Sequence, residues 1–251
     1  VPRSWGYRAG VWQPEDSVVA DLISGFGLVP AAGAVVRGDV VPALLTENTD
    51  NVDRSNGPGY TTASVTPTAN RLTAIAICCS HATAAEVPSS VTGCGLTWTQ
   101  MSPNGTQTYA AGNRRVTWFY AFGASPSAGA ITINFATTHT GCTWAVFDFP
   151  GARLSTAPVQ GAVGTAASTT VTATLAALES SKSAVIYALG RVLNEVSAPP
   201  AAGSWTELSD RAGTSPPSAM ETAWAINDVD ANPTWATSGG SAIVLLEIKA
   251  A

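Results

Sequence analysis

Apolar and polar positions alternate in short runs along most of this chain, and the same set of runs is written twice. The segment Cys142-Thr-Trp-Ala-Val-Phe-Asp-Phe149 returns as Ala242-Ile-Val-Leu-Leu-Glu-Ile248, with Trp144 on Ile243, Val146 on Leu245 and Asp148 on Glu247. Upstream, Phe135 falls on Trp235, Trp118 on Trp224 and Trp98 on Trp205, and the run from Leu72 to Cys79 falls on that from Ala184 to Leu189. The offset between copies shrinks towards the C-terminus, so the second copy carries the same strands on shorter loops. The pattern predicts strands over 61–66, 71–80, 96–101, 115–122, 130–136 and 142–149. A second set follows over 171–175, 183–190, 204–208, 221–227, 233–237 and 242–249. Residues 71–80 and 142–149 are apolar on both faces, which places them at the centre of a layered structure. Short strands at this spacing predict an all-β protein, a jelly-roll-like β-sandwich built from two sequence-similar halves.

Residues 1–57 stand outside the repeat and read as an N-terminal arm with one short helix over 14–24. Pro14 suits the first helical position, Glu15 and Asp16 complement the positive end of the helix dipole, and Gly25 supplies a stop. Val18, Val19, Leu22 and Ile23 form its apolar face. A lone helix in an irregular arm cannot build a core, so it must pack on the body or on another chain. Trp5 and Trp12 are the two tryptophans outside the repeat, and with the helix face they are the candidate partner-binding residues. The expected division is an arm over 1–57, a first β half over 58–155 and a second over 156–251. The second half opens on a Gly/Ala/Ser/Thr linker over 156–170, and the two halves are expected to form one compact body.

Composition narrows the function. Only 12% of residues are charged, and 23 Gly and 16 Pro suit many turns. The net charge of −5 rests on 12 Lys and Arg against 17 Asp and Glu, and the cations are scattered. Nucleic-acid binding needs clustered cations, so it is not expected, nor is membrane-surface binding. No apolar run approaches the ~18 residues of a bilayer span, so membrane insertion is not expected. The four cysteines lack metal or redox spacing, and buried thiols are preferred over a disulfide framework.

Candidate chemistry is sparse. His81 and His139 fall at strand ends, and no Gly-x-Ser-x-Gly elbow accompanies them. Asp148 and Glu247 are repeat-equivalent carboxylates; paired acids can cleave glycosides, but solvent exposure or pairing with Arg is the better account of both. Asp228, Asp230 and Asn232 have the alternate-oxygen spacing of a calcium loop, without its glycine or its final glutamate, so turn chemistry is the better account. Arg37-Gly38-Asp39 and the sequon at Asn104 are read as coincidence and as a hairpin turn. No cofactor and no enzymatic activity are expected.

The runs Val65-Thr-Pro-Thr-Ala-Asn-Arg-Leu-Thr-Ala-Ile-Ala-Ile77, Gly95-Leu-Thr-Trp-Thr-Gln100, Arg115-Val-Thr-Trp-Phe-Tyr-Ala121, Ala130-Ile-Thr-Ile-Asn-Phe135 and Trp144-Ala-Val-Phe-Asp-Phe-Pro-Gly-Ala152 resemble the β-sandwich domains of tailed-bacteriophage virion proteins. Such domains occur in minor tail, fibre and capsid-decoration components. The resemblance implies a non-enzymatic structural component of the virion, assembled in the host cytoplasm. It would dock by its arm on other virion proteins, present the sandwich for host attachment to a surface glycan or other receptor, and form a homo-oligomer or symmetric array. The alternative is a secreted carbohydrate-binding module or lectin, which predicts disulfides and calcium dependence.

Overall fold

A computed structural model of the chain describes residues 5–8, 11–14, 39–48, 55–152, 158, 160–214 and 217–251. The chain divides into two compact units, Val1–Val36 and Arg37–Ala251. In the first, strands β1 (Trp5–Arg8) and β2 (Val11–Pro14) pair antiparallel, with Trp5 opposite Pro14 and Tyr7 opposite Trp12. Pro14 therefore ends a strand, where its missing N–H is tolerated. The remainder of the expected helix, with Val18, Val19, Leu22 and Ile23, lies outside the described residues. Among the described residues there is no α-helix.

The second unit is all-β. Its strands are β3 (Ala43–Glu47), β4 (Gly57–Thr61), β5 (Arg71–Ser80), β6 (Ser90–Gly93), β7 (Thr99–Gln100), β8 (Thr106–Tyr109), β9 (Arg114–Gly123), β10 (Ile131–His139) and β11 (Gly141–Phe149). They continue as β12 (Gln160–Thr170), β13 (Ala173–Thr174), β14 (Ala184–Arg191), β15 (Thr206–Thr214), β16 (Pro217–Ile226), β17 (Asp230–Ala231) and β18 (Thr234–Ile248). Two large antiparallel sheets carry the unit. One runs β3-β11-β5-β9-β7, with β8 also on β9; the other runs β12-β18-β14-β16-β15. A three-stranded sheet, β4-β10-β6, and the short pair β13-β17 complete the smaller layers.

The core lies in three layers. Between the large sheets, Leu72, Ala74, Ala76, Trp118, Phe147 and Phe149 of one meet Ile186, Ala188, Met220, Val244, Leu246 and Ile248 of the other. On the far face of the first sheet, Ile75, Ile77, Phe119, Trp144 and Val146 pack with Ile131, Ile133 and Phe135 of β10. On the far face of the second, Val185, Tyr187, Leu189, Ile243 and Leu245 pack with Val171, Leu175 and Trp235. Alternate residues of β5, β11, β14 and β18 thus enter different cores, which is why these strands are apolar on both faces. Every residue of β11 and β14 is buried.

Corresponding positions can be read from the register. Asp148 faces Thr73 and Glu247 faces Val185; Thr99 faces Tyr120 and Thr206 faces Trp224. The structural counterpart of Trp224 is therefore Tyr120, not Trp118, which corresponds to Thr222. The slip is two residues, so it keeps the face and escapes notice in a hydrophobicity pattern.

Other expectations change more. The presumed linker holds β12, which forms because its backbone completes the edge of β18, although Gly, Ala, Ser and Thr give it no apolar signature. The presumed arm holds β3, hydrogen-bonded to β11 as β12 is to β18. The strands expected over 233–237 and 242–249 are one strand, β18, and that expected over 61–66 ends at Thr61, leaving Val65 a single bridge to Gly129.

Because one core is shared by both large sheets, the unit should unfold in a single transition. Phe147→Ala and Leu246→Ala should each lower that transition, with a cost of about 3–5 kcal/mol for the phenylalanine and 2–5 for the leucine. Calorimetry in which one variant split the endotherm, leaving the other half at its original temperature, would contradict the shared core.

Candidate functional site

Most polar side chains singled out in the sequence fasten the framework. Asp148 is buried: Thr73 Oγ1 donates to Oδ1 at 2.8 Å and the Thr68 N–H to Oδ2 at 2.8 Å. Glu247 is its buried counterpart, with Oε1 accepting from the Glu179 N–H at 2.9 Å and Oε2 from Gln160 Nε2 at 2.8 Å. Each carboxylate ties down the turn leading into the neighbouring central strand. Neither faces solvent or an arginine, as the sequence had suggested, because backbone and side-chain donors satisfy both oxygens in place.

Asp228 Oδ2 accepts from Trp205 Nε1 at 3.0 Å and its Oδ1 from the Asp230 N–H at 3.1 Å. Asp230 Oδ1 accepts from Thr174 Oγ1 at 2.7 Å, and Asn232 is exposed in the following turn. The two acids thus hold the turn between β16 and β17 and anchor Trp205. Among the described residues, no group of three His, Cys, Asp or Glu side chains is placed to hold a metal.

The two histidines brace one loop. His81 Nδ1 accepts from the N–H groups of Thr83 and Ala84, at 3.0 and 2.9 Å. His139 is fully buried, stacks on Phe135 at 3.9 Å, donates from Nδ1 to the Thr137 carbonyl and accepts at Nε2 from the Glu86 N–H at 3.2 Å. Burial holds its pKa below the ordinary value. Asn104 adopts a left-handed turn with its amide donating to the Gly161 carbonyl at 2.8 Å. Arg37 and Gly38 lie outside the described residues. Cys78, Cys79, Cys94 and Cys142 are buried. Trp118, Trp144 and Trp235 are buried, and Trp98, Trp205 and Trp224 pack against the cores half-buried. The backbones of Trp5 and Trp12 lie in β1 and β2.

What the sequence reading missed is a cluster in the second half. Asp210 of β15 and Glu221 of β16 stand directly opposite each other. Tyr187 Oη donates to Glu221 Oε1 at 2.5 Å, and the Ser197 N–H donates to Asp210 Oδ2 at 2.7 Å. Arg191, 1% exposed, lies 5.4 Å from the ring centre of Trp235, donates to the Glu195 carbonyl and has Nη1 3.6 Å from Glu195 Oε1. Burial pushes Glu221 up to about 7, Asp210 adding repulsion and Tyr187 partly offsetting it. Asp210 is pushed up to about 6, again chiefly by burial, with the Ser197 N–H and Arg191 opposing. Arg191 is lowered from its ordinary value by burial. Among the described residues, Arg191 Nε and Asp210 Oδ1 have no hydrogen-bond partner, and they are the kind of group that ordered water bridges. Two carboxyls that change protonation near neutrality can hold and release protons; this is the chemistry the arrangement offers.

Among its described residues, the first half has no such cluster. There the position of Asp210 and Glu221 is taken by Thr106 and Thr117, also directly opposite, with hydroxyl oxygens 2.9 Å apart. Ile75 stands where Tyr187 does, and Cys79 where Arg191 does. Asp148 and Glu247 thus occupy corresponding positions in the two large sheets, whereas Asp210 and Glu221 correspond to two threonines.

No protein-family model matches the chain, and neither a curated protein nor a solved structure matches it.

Both raised carboxyls bind protons more tightly when folded. The stability they contribute is therefore full below the usual carboxylate range and is lost as pH rises through about 6 to 7. His139 acts with the opposite sign, its contribution being lost as pH falls below the ordinary histidine value. Glu221→Gln should isolate the pair: relative to the parent, the variant should gain about 3 kcal/mol between pH 5 and pH 8 in urea denaturation. A difference independent of pH would show that Glu221 titrates normally.

Proposed function

We propose that this chain is a non-enzymatic structural component of a phage virion, a minor tail or decoration protein. In this reading the N-terminal unit docks on other virion proteins while the duplicated sandwich is displayed at the particle surface for host attachment. The observation that carries it is the division of the chain into a small N-terminal unit, opening on a β1-β2 pair that carries Trp5 and Trp12, and a large sandwich unit. A module that must be displayed needs a rigid body, and the larger unit uses buried carboxylates, histidines and tryptophans to fasten its turns. The strand pattern that resembles tailed-phage sandwich domains lies wholly in that unit.

Docking by the N-terminal unit has a direct test. The full-length chain should co-sediment saturably with phage particles deficient in it, and Trp5→Ala/Trp12→Ala should weaken that binding roughly tenfold or more, as expected for buried aromatic anchors. Unchanged binding by the variant would remove the docking role from these residues. No binding by either protein, together with glycan affinity, would favour a carbohydrate-binding module instead.

A further inference from the structure

The large sheets have four edges, and three of them carry devices that discourage pairing with another chain. Strand β3 has five residues and a break in register, and it ends at Glu47, which bonds Ser209 and Arg211. The opposite edge of that sheet is split into β7 and β8, of two and four residues, by the turn at Pro103 and Asn104. Strand β15 shifts register between Glu207 and Ser209 and carries Glu207, Asp210 and Arg211.

The fourth edge, β12, carries only a register break close to its end, between Ser168 and Thr170. Its eleven residues, Gln-Gly-Ala-Val-Gly-Thr-Ala-Ala-Ser-Thr-Thr, include no charge and no proline. It keeps one register against β18 from Gln160 to Ser168, and β18 is its only strand partner among the described residues. Among the hydrogen bonds of the described residues, the Asn104 amide on the Gly161 carbonyl is the contact that reaches the β12 backbone from outside β18 and its own strand. Thr165, Ala166 and Ala167 line an open groove, and Thr165 and Ala167 are exposed.

We infer that β12 is the interface through which two copies of this chain pair, antiparallel about a two-fold axis, joining their five-stranded sheets into one. A foreign strand bound at an edge is selected by pockets for its alternate side chains. Beyond β12 itself, the groove is lined by Gln107, Thr108, Tyr109 and Ser241 and otherwise by Ala and Gly, so it offers no charge to select a foreign strand. A second β12 needs no such reader: being neutral, it opposes no like charges when reversed against itself, and its small side chains permit close approach in either face. The inference names the contact behind the homo-oligomer of the structural reading, yet it concerns the isolated chain, so its failure would leave particle binding through Trp5 and Trp12 untouched.

The test is sedimentation velocity of the full chain up to roughly 0.1 mM, a range that detects micromolar association. The parent should be a dimer, and Thr165→Lys/Ala167→Lys and Thr165→Glu/Ala167→Glu should each associate at least roughly tenfold more weakly. Both positions are exposed, so the variants should melt as the parent does; an equimolar mixture of the two should recover the dimer by pairing opposite charges. A monomeric parent, or a parent dimer that both variants retain, would overturn the proposal.

Discussion

Everything in the larger unit depends on burying both faces of two sheets at once. A sheet covered on one side can keep a polar face, but β5 and β11, like β14 and β18, must give one set of alternate residues to the shared core and the other to a private one. That requirement leaves almost no polar position on the central strands. Exceptions such as Asp148, Glu247 and Arg191 therefore stand out, and each is bound to a neighbouring turn, strand or aromatic ring. The shared core also explains why the halves differ in detail while their strand orders run parallel: the face between them must fit, whereas each outer face answers only to its own loops.

The two halves differ on their outer faces. Opposite strands bring together Thr106 and Thr117 in one half, a neutral pair that costs little to bury once its hydroxyls bond. In the other half the same place holds Asp210 and Glu221, whose burial is tolerable only because Tyr187, the Ser197 N–H and Arg191 surround them and because their protons stay on to unusually high pH. The stability of the second half is thereby linked to pH in a range where, in the first half, His139 acts with the opposite sign.

How much of this was legible in the sequence follows from where the information sits. The central strands were readable because doubly buried strands announce themselves as unbroken apolar runs, and the all-β sandwich architecture follows from them. The edge strands β3 and β12 were not, because an edge strand is held by the backbone of its neighbour and needs no apolar residues of its own. The pairing of Trp118 with Trp224 went astray for a related reason: identity of residue type suggested it, whereas the hydrogen-bond register puts Tyr120 there. The acidic pair was hidden by the same uncertainty. Asp210 and Glu221 meet only once the bulge after Glu207 is counted, and a one-residue error would send one of them to the opposite face.

Edges show the same logic in reverse. Charges and bulges on β15, interruption between β7 and β8, and the shortness of β3 each sacrifice some sheet regularity, and each is what keeps a sheet from templating another. Against that background the regularity of β12 is the anomaly. Low charge alone does not account for it, because β15 shows that this sequence can place charge on an edge strand. A segment rich in Gly, Ala, Ser and Thr would pass for a linker, yet it holds a longer unbroken register with its neighbour than β3, β7 or β8 does. A strand so regular at the rim of a sheet is either a hazard in solution or a surface shaped for its own copy, and its neutral, small-residue composition suits the second.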